Sequence, residues 1–474
     1  MAWDYDVIIV GGGGAGLAAA IEAKRAGANC IILEADTKLG GATAQSGGVF
    51  YAAGTSVQRA AGIDDSAEDM FQYLMTLNHW SVKPDIFRIL ADESGPTLEW
   101  LIAEGTEFLP EQVTFGGIEA KPRAHPSHGA GTGIAETLIN TAGALGIETA
   151  LGTRVERLLL EDGQVIGVHA AGIDLRAPSV ILTTGGFGNS PEMIARFFPT
   201  AARKGDWTWA VHRRAPYILG DGIRLGEQID ARIVGHDTGL LLPGSNAGGK
   251  ALEPFLPPWL MLVNREGRRF IPETSSYTIS GYALNEQTDE VAFAIFDERA
   301  LVEASSDLSY LDPYGSGIEI PTWEEPMLRE RVAKGEIQSA DTLDLLCARI
   351  GIDPKGLAET VRTYNEDCAL GVDSHYFQKL GKRYPVSTAP FYAAEIRAAV
   401  IAVTGAGLDI NRDCAVLDSH GRPVPGLYAA GEVLGVLMGK RYGGGGMSIG
   451  PAIVLGRRAG IHATLAARSA AQTA

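Results

Sequence analysis

Apolar and polar positions fall along the chain in blocks whose lengths separate strands from helices. Residues 5–10, Tyr-Asp-Val-Ile-Ile-Val, form a short apolar run without helical spacing, as expected of a strand buried on both faces. Gly11-Gly12-Gly13-Gly14-Ala15-Gly16 interrupts it, an alanine-rich helix follows to about Gly27, and Asn29 to Glu34 reads as a second buried strand. Helical spacing returns at roughly Ala67 to Asn78 and Lys83 to Glu104. Short strands occupy Glu156 to Ala170, where Asp162-Gly163 predicts a hairpin turn. Ser179 to Thr184 is another buried strand, ending on Gly185-Gly186-Phe187-Gly188. A last short strand runs to Gly431-Glu432, a glycine-rich turn spans Lys440 to Gly446, and a final helix begins near Ser448.

The first of these blocks carries the clearest chemistry. Strand, glycine-rich turn, helix and second strand form a dinucleotide-binding unit: Gly11 permits the tight turn, Gly13 lets backbone N–H groups approach a pyrophosphate, and Gly16 lets the helix pack on the sheet. The helix N-terminus faces the phosphates with its unpaired donors. Glu34 closes the second strand, where a carboxylate accepts hydrogen bonds from a ribose. The polar loop Gly40 to Gly48 has small residues that permit close backbone contact with a ligand.

Composition narrows the partners. With 474 residues the chain exceeds what one core usually supports, so two domains are expected. The net charge of -17, with no basic block, argues against a nucleic-acid partner. Cys30, Cys347, Cys368 and Cys414 are scattered, with no metal-ligand spacing, so no metal site is expected. No apolar run approaches the about 18 residues of a membrane span, and the first strand begins within five residues of the start, so a cytoplasmic location is expected. From about residue 240 prolines cluster at Pro254, Pro257 and Pro258 and aromatics become frequent. The expected architecture is α/β: a discontinuous Rossmann-like nucleotide-binding domain of residues 1–239 and 401–474, and an inserted α+β capping domain of residues 240–400.

Three distant motifs resemble one superfamily, the FAD-dependent fumarate reductase and 3-ketosteroid dehydrogenase flavoproteins. They are the N-terminal glycine unit with Gly40-Gly41-Ala42-Thr43 and Ser46-Gly47-Gly48; Thr184-Gly185-Gly186-Phe187-Gly188; and Gly426 to Glu432 followed by Arg441-Tyr442-Gly443-Gly444. The resemblance implies FAD. It puts the adenosine ribose on Glu34 beside Ala35, and the pyrophosphate on Gly11, Gly13, Ala15 and Gly16. The ribityl chain or flavin edge falls near Gly41, Ala42, Thr43, Ser46, Gly47, Gly48 and Glu432. Thr184, Gly185, Gly186 and Asp221 complete the cofactor site, and Ser448 and Ile449 aim the last helix at the flavin pyrimidine. Some relatives attach FAD through a histidine in the loop after Gly40-Gly41; none stands between Gly40 and Gly54, so the FAD is expected to be noncovalent.

Two chemistries run in this superfamily, reduction of carboxylate-bearing alkenes and desaturation beside a ketone. The reductase branch uses a central arginine and a histidine before Thr-x-Gly-Gly. Here no arginine stands from Phe270 to Gln287, and the second place reads Ala402-Val403-Thr404-Gly405. What stands there resembles the 3-ketosteroid 1-dehydrogenases: Arg269-Phe270-Ile271-Pro272-Glu273 leads to Tyr277, and Tyr442 leads to Gly446. The resemblance implies Tyr277 as base for the α-proton, the Tyr442 hydroxyl and Gly446 N–H on the ketone oxygen, and β-hydride transfer to FAD. The family's assisting tyrosine has no counterpart between Tyr73 and Tyr217, which leaves Tyr282 or water. Arg441, preceding Tyr442-Gly443-Gly444, also fits a carboxylate clamp, and His125 and His128 fall where reductases carry a substrate-side histidine. The expected activity is desaturation of a cyclic ketone, steroidal or as small as cyclohexanone or 4-oxocyclohexanecarboxylate, with a quinone, carrier protein or oxygen as electron acceptor. The rivals are an enoate reductase using Arg441 and a flavin-binding protein without catalysis.

Overall fold

The structure is a computed structural model that describes residues 3–212, 215–245, 256–304, 323–377 and 383–473. Pro254, part of the expected proline cluster, lies outside the described residues. The opening unit forms as its pattern requires: strand Val7–Val10, helix Gly14–Arg25 and strand Cys30–Leu33, with both strands wholly buried. They belong to a six-stranded sheet whose spatial order is Ala415–Leu417, Pro423–Ala429, Ser179–Leu182, Val7–Val10, Cys30–Leu33 and Glu148–Ala150. All pairings but the first are parallel. Val7 is in register with both Cys30 and Ser179, so Gly11, Glu34 and Thr183 emerge together at the carboxyl edge, where ligands bind in open α/β sheets.

The helix Gly14–Arg25 packs along the final helix Ile449–Thr473. Glycine decides how closely: a Cβ on Gly456 would lie 2.3 Å from the Ala15 carbonyl oxygen, and one on Gly460 2.2 Å from that of Ala19. Asp162 and Gly163, at φ 49° and 78°, make the hairpin between strands Val155–Glu161 and Gln164–Ala170.

A second sheet is centred on the long strand Phe391–Thr404. Its first half pairs antiparallel with Ala292–Asp297 and its second half with Gly239–Gly244, so one strand runs through the domain boundary expected at residues 400 and 401 and leads the chain back to the nucleotide-binding sheet. Trp209–Ala210 also joins this sheet, ahead of residue 240. The helix Tyr277–Asn285 lies across Gly239–Gly244 and Phe391–Thr404, with Ser276 accepting from the Thr278 N–H at its start. Two apolar clusters fill the second unit, one around Phe296, Trp323 and Tyr392, the other around Val263, Leu346 and Tyr364. Among the described residues, no helix is long and apolar enough to cross a membrane.

Candidate functional site

At the carboxyl edge of the parallel sheet a cleft is lined by Gly11, Gly13, Glu34, Ala35, Gly41, Ala42, Thr184, Gly185, Gly186, Asp221 and Glu432, among others. A Cβ on Gly13 or Gly185 would meet nothing within 4 Å, so these backbones face open space of the kind a pyrophosphate fills. Gly16 does the opposite work, since its Cβ would sit 1.9 Å from the Gly11 carbonyl oxygen. Glu34 is held by the N–H groups of Gly12 at 2.6 Å and Asp36 at 2.7 Å, one on each carboxylate oxygen, and each oxygen keeps a lone pair for a ribose hydroxyl. Glu432 is half-buried, and its partial removal from water raises its carboxyl although the Thr404 N–H and hydroxyl both bond its Oε1. Asp221 is at the cleft but is gripped by Arg154 through two bonds of 2.8 and 2.6 Å, so it frames the opening.

The other expected cofactor residues stand back from the lining. Ala15 and Gly16 lie in the first turns of the helix. Thr43 accepts from the Gly14 N–H at 3.2 Å and thereby occupies one of the helix N-terminal donors expected to serve phosphate. Ser46 bonds the Thr43 carbonyl and the Gly48 N–H, and the Gly48 backbone is pressed against Ala130. Gly47 faces open space, and Ser448 and Ile449 begin the last helix, with Ser448 bonded to Tyr442 at 3.0 Å. The cleft fits FAD in its donor set and its glycines.

A second cavity, of about 430 Å³, opens in the inserted unit. Tyr277, Ser276 and Ser280 line it with Phe115, Gly116, Gly117 and a mostly apolar wall of Pro243, Leu262, Phe270 and Pro272. Its described lining has one charged residue, Glu273. That carboxylate is buried and paired to Arg269 by bonds of 2.8 and 2.6 Å; Arg269 also holds Asp373, which Arg383 grips at 2.8 Å. Burial alone would raise the Asp373 carboxyl, but the two arginines outweigh it and hold it well below the usual carboxylate range.

Tyr277, Tyr282 and Tyr442 share one apolar cluster with Tyr51, Leu240 and Val400. Burial pushes the Tyr442 phenol far up, and the neighbouring Tyr277 pushes it further, against the Ser448 bond. Gly446 takes φ 97°, a left-handed value that favours glycine, and its N–H donates to no acceptor among the described residues. Neither Tyr442 nor Gly446 is in the lining of the second cavity; they lie behind Tyr277 and the 116–117 glycine pair.

Several of the expected substrate-side residues stand outside the lining of the second cavity. The Tyr282 hydroxyl donates to the Gly239 carbonyl at 3.0 Å, which leaves it only as an acceptor toward Tyr277. Arg441 is not in the cavity: its guanidinium lies 4.5 Å over the Tyr282 ring and faces Glu286 at 3.7 Å. His125 is buried against Thr55 and the Arg123 carbonyl at 2.9 and 2.8 Å, while His128 is exposed and lines neither cavity. Sequence reasoning passed over Glu119, Thr278 and the Asp373–Arg383 pair. Gly116-Gly117, a glycine pair that marks close backbone approach, could have pointed to Glu119 and Thr278, and no local signal marks the Asp373–Arg383 pair.

A nucleotide cleft at the carboxyl edge of the parallel sheet, with buried phenols in the neighbouring unit, is the arrangement of a flavin-dependent oxidoreductase. The FAD binding domain family matches residues 6–449, and the chain belongs to that family, within the fumarate reductase and succinate dehydrogenase flavoprotein superfamily. FAD is its cofactor. The chain is 30% identical over 473 residues to urocanate reductase of Eggerthella lenta, covering 97% of this chain and 74% of that one. It is 31% identical over 472 residues to a fumarate reductase (cytochrome) of Shewanella frigidimarina, covering 97% and 76%. Among solved structures, 3-ketosteroid-Δ4-(5α)-dehydrogenase from Rhodococcus jostii RHA1 superposes with a TM-score of 0.76 at 28% identity, covering 98% of both chains.

Proposed function

We propose that this enzyme desaturates a neutral cyclic ketone beside its carbonyl. The observation that carries the reading is the second cavity: it presents the Tyr277 side chain in an apolar wall, and its described lining holds no cation to receive a substrate carboxylate. A C–H next to a ketone becomes removable only when the developing enolate oxygen is stabilised. The donors assigned to that oxygen are the Gly446 N–H, which has no acceptor among the described residues, and the Tyr442 hydroxyl, itself able to accept from Ser448; both stand behind Tyr277 and outside the cavity lining, so the assignment requires the carbonyl to reach past Tyr277. Tyr277 takes the α-proton, and the β-hydrogen leaves as hydride. Bound FAD supplies the two-electron acceptor. A small-molecule substrate and an external electron acceptor complete the cycle.

The Rhodococcus dehydrogenase, solved with 4-androstene-3,17-dione, supports a ketone substrate over the whole chain length. The relatives named as reductases support the reverse reading, hydride delivery to an enoate. One experiment separates them. The oxidised yellow protein is mixed anaerobically with a ketosteroid, cyclohexanone and 4-oxocyclohexanecarboxylate, and the chemically reduced protein with fumarate and urocanate. Bleaching by a neutral ketone is expected, and Tyr277→Phe should stay yellow while bleaching at least about 100-fold more slowly. Bleaching by no ketone, with rapid reoxidation by the enoates, refutes the proposal.

A further inference from the structure

Two carboxylates of the nucleotide cleft keep an acceptor for a ligand, Glu34 and Glu432, and the sheet sets them apart. Strand Pro423–Ala429, which leads to Glu432, is followed across the sheet by Ser179–Leu182, Val7–Val10 and Cys30–Leu33, which runs into Glu34. Three steps of about 4.8 Å put the two outer strands of this set roughly 14 Å apart. Between them the cleft is lined by Gly11, Gly13, Gly185 and Gly186. FAD has the same layout, two polyols, ribose and ribityl, joined through a pyrophosphate. With the ribose on Glu34, the ribityl chain falls to Glu432.

A terminal carboxylate rotates broadly unless something holds it. The Thr404 N–H at 2.9 Å and the Thr404 hydroxyl at 2.8 Å both donate to Glu432 Oε1, while Oε2 makes no hydrogen bond among the described residues and is not sealed from the cleft. Two donors on one oxygen fix the plane of the carboxylate and leave the other oxygen as the acceptor. Thr404 is 2% exposed and ends the strand Phe391–Thr404, where it is in register with Gly239. Its Oγ1 accepts the Phe187 N–H at 3.3 Å, and a Cβ at Gly186 would overlap both Thr404 Oγ1 and Glu432 Oε1, so threonine and acid are packed on the glycine loop of the cleft. Glu34 is held differently, by the backbone N–H groups of Gly12 and Asp36, one on each oxygen, so a side-chain change can unlock only Glu432.

We infer that Thr404 is a positioning residue for FAD: it fixes Glu432 Oε1 so that Oε2 accepts a hydroxyl of the ribityl chain. The flavin half of the cofactor is thereby anchored to the strand across which the Tyr277–Asn285 helix lies, whatever substrate the enzyme takes.

The test follows FAD release from the holoenzyme, diluted into flavin-free buffer, by the fluorescence of the freed flavin. Glu432→Ala should speed release at least about tenfold, as loss of a charge-assisted hydrogen bond does. Thr404→Val keeps the N–H and the shape but not the hydroxyl and should speed release at least about fivefold, while Thr404→Ser should stay within about twofold of wild type. A threonine that served the fold alone would multiply the effect of Glu432→Ala by its own factor. Added to Glu432→Ala, Thr404→Val should instead change release by less than about twofold, because the carboxylate it positions is gone. Thr404→Ala carries the same expectations where the valine variant is insoluble. Release from Thr404→Val within about twofold of wild type, no rescue by serine, or the same factor in both backgrounds overturns the inference.

Discussion

Arg269 ties the strand-side loop that carries Tyr277 to the rest of the inserted unit, and replacing it with methionine removes the centre of a buried ion network. The guanidinium bonds Glu273 at 2.8 and 2.6 Å and Asp373 at 3.1 and 3.2 Å, with side-chain exposures of 4%, 3% and 0%. In Arg269→Met, Asp373 keeps Arg383 at 2.8 Å, so the uncompensated group is Glu273. Removing one partner of a buried pair costs about 3–5 kcal/mol. A second estimate comes from the escape route: at pH 7, protonating an ordinary carboxyl so that it sits neutral in the interior costs roughly 3.7 kcal/mol. The expected loss is therefore about 3–4 kcal/mol, read as a lower urea midpoint with the slope unchanged. Arg269→Met with Glu273→Gln, which removes the stranded charge, should recover about 2 kcal/mol or more of it. The sign with pH follows from Asp373: its folded carboxyl is held low, so the network contributes in full above about pH 4 and loses that contribution as the pH falls further. A single variant within about 1 kcal/mol of wild type, or a double variant no more stable than the single, refutes the account.

Two other outcomes follow from the clearances at glycines and from burial. Gly13→Ala adds a methyl that meets no protein atom within 4 Å, so the apoprotein should melt as wild type does while FAD retention on gel filtration falls; Gly16→Ala, whose methyl would sit 1.9 Å from the Gly11 carbonyl oxygen, should lower both. His125 and His212 are each pushed down to about 4 by burial, so the unfolded chain binds protons that the folded chain refuses. Stability should drop as the pH falls from ~6.5 toward about 4, by up to roughly 1.4 kcal/mol per pH unit per histidine. A denaturant midpoint flat across that range, or unaltered in slope by His125→Gln, contradicts this.

The nucleotide-binding half was legible in the sequence because its rules are local. A buried strand, a glycine that must clear a carbonyl, and a hairpin at Asp162-Gly163 are each decided within a few residues, and strands Val7–Val10 and Ser179–Leu182 lie where the apolar runs placed them. The path of Phe391–Thr404 was not legible, because a 14-residue strand serving two sheet partners looks locally like two ordinary ones. Tyr282 and Arg441 show the same limit in the site. Their residue types suited assistance and carboxylate binding, but their partners, the Gly239 carbonyl and the Tyr282 ring, lie 43 and 159 residues away in sequence and only the fold brings them together. Glu119 was invisible for the reverse reason: an isolated acid reads as surface until Gly116 and Gly117 are seen to bury it.

Those placements make substrate charge the sharpest discriminator between the two chemistries. A carboxylate entering the second cavity meets Pro243, Phe270 and Ser280 and no described cation, while the one acid there, Glu273, is already matched by Arg269. Desolvating an anion without a partner costs several kcal/mol. Even about 2.7 kcal/mol of that cost, expressed in the transition state, is a factor of about 100 in kcat/KM. The methyl ester of 4-oxocyclohexanecarboxylate should therefore be oxidised at least about 100-fold more efficiently than the free acid, with both ketones otherwise alike. Arg441→Ala should leave that ratio within about twofold, because the guanidinium is committed to the Tyr282 face and to Glu286. Ser280→Arg, which puts a cation on the cavity wall, should narrow the ratio from the acid side. If instead the acid is oxidised as well as its ester and Arg441→Ala abolishes the acid alone, Arg441 turns into the cavity when substrate binds, and the enoate-reductase reading replaces the neutral ketone.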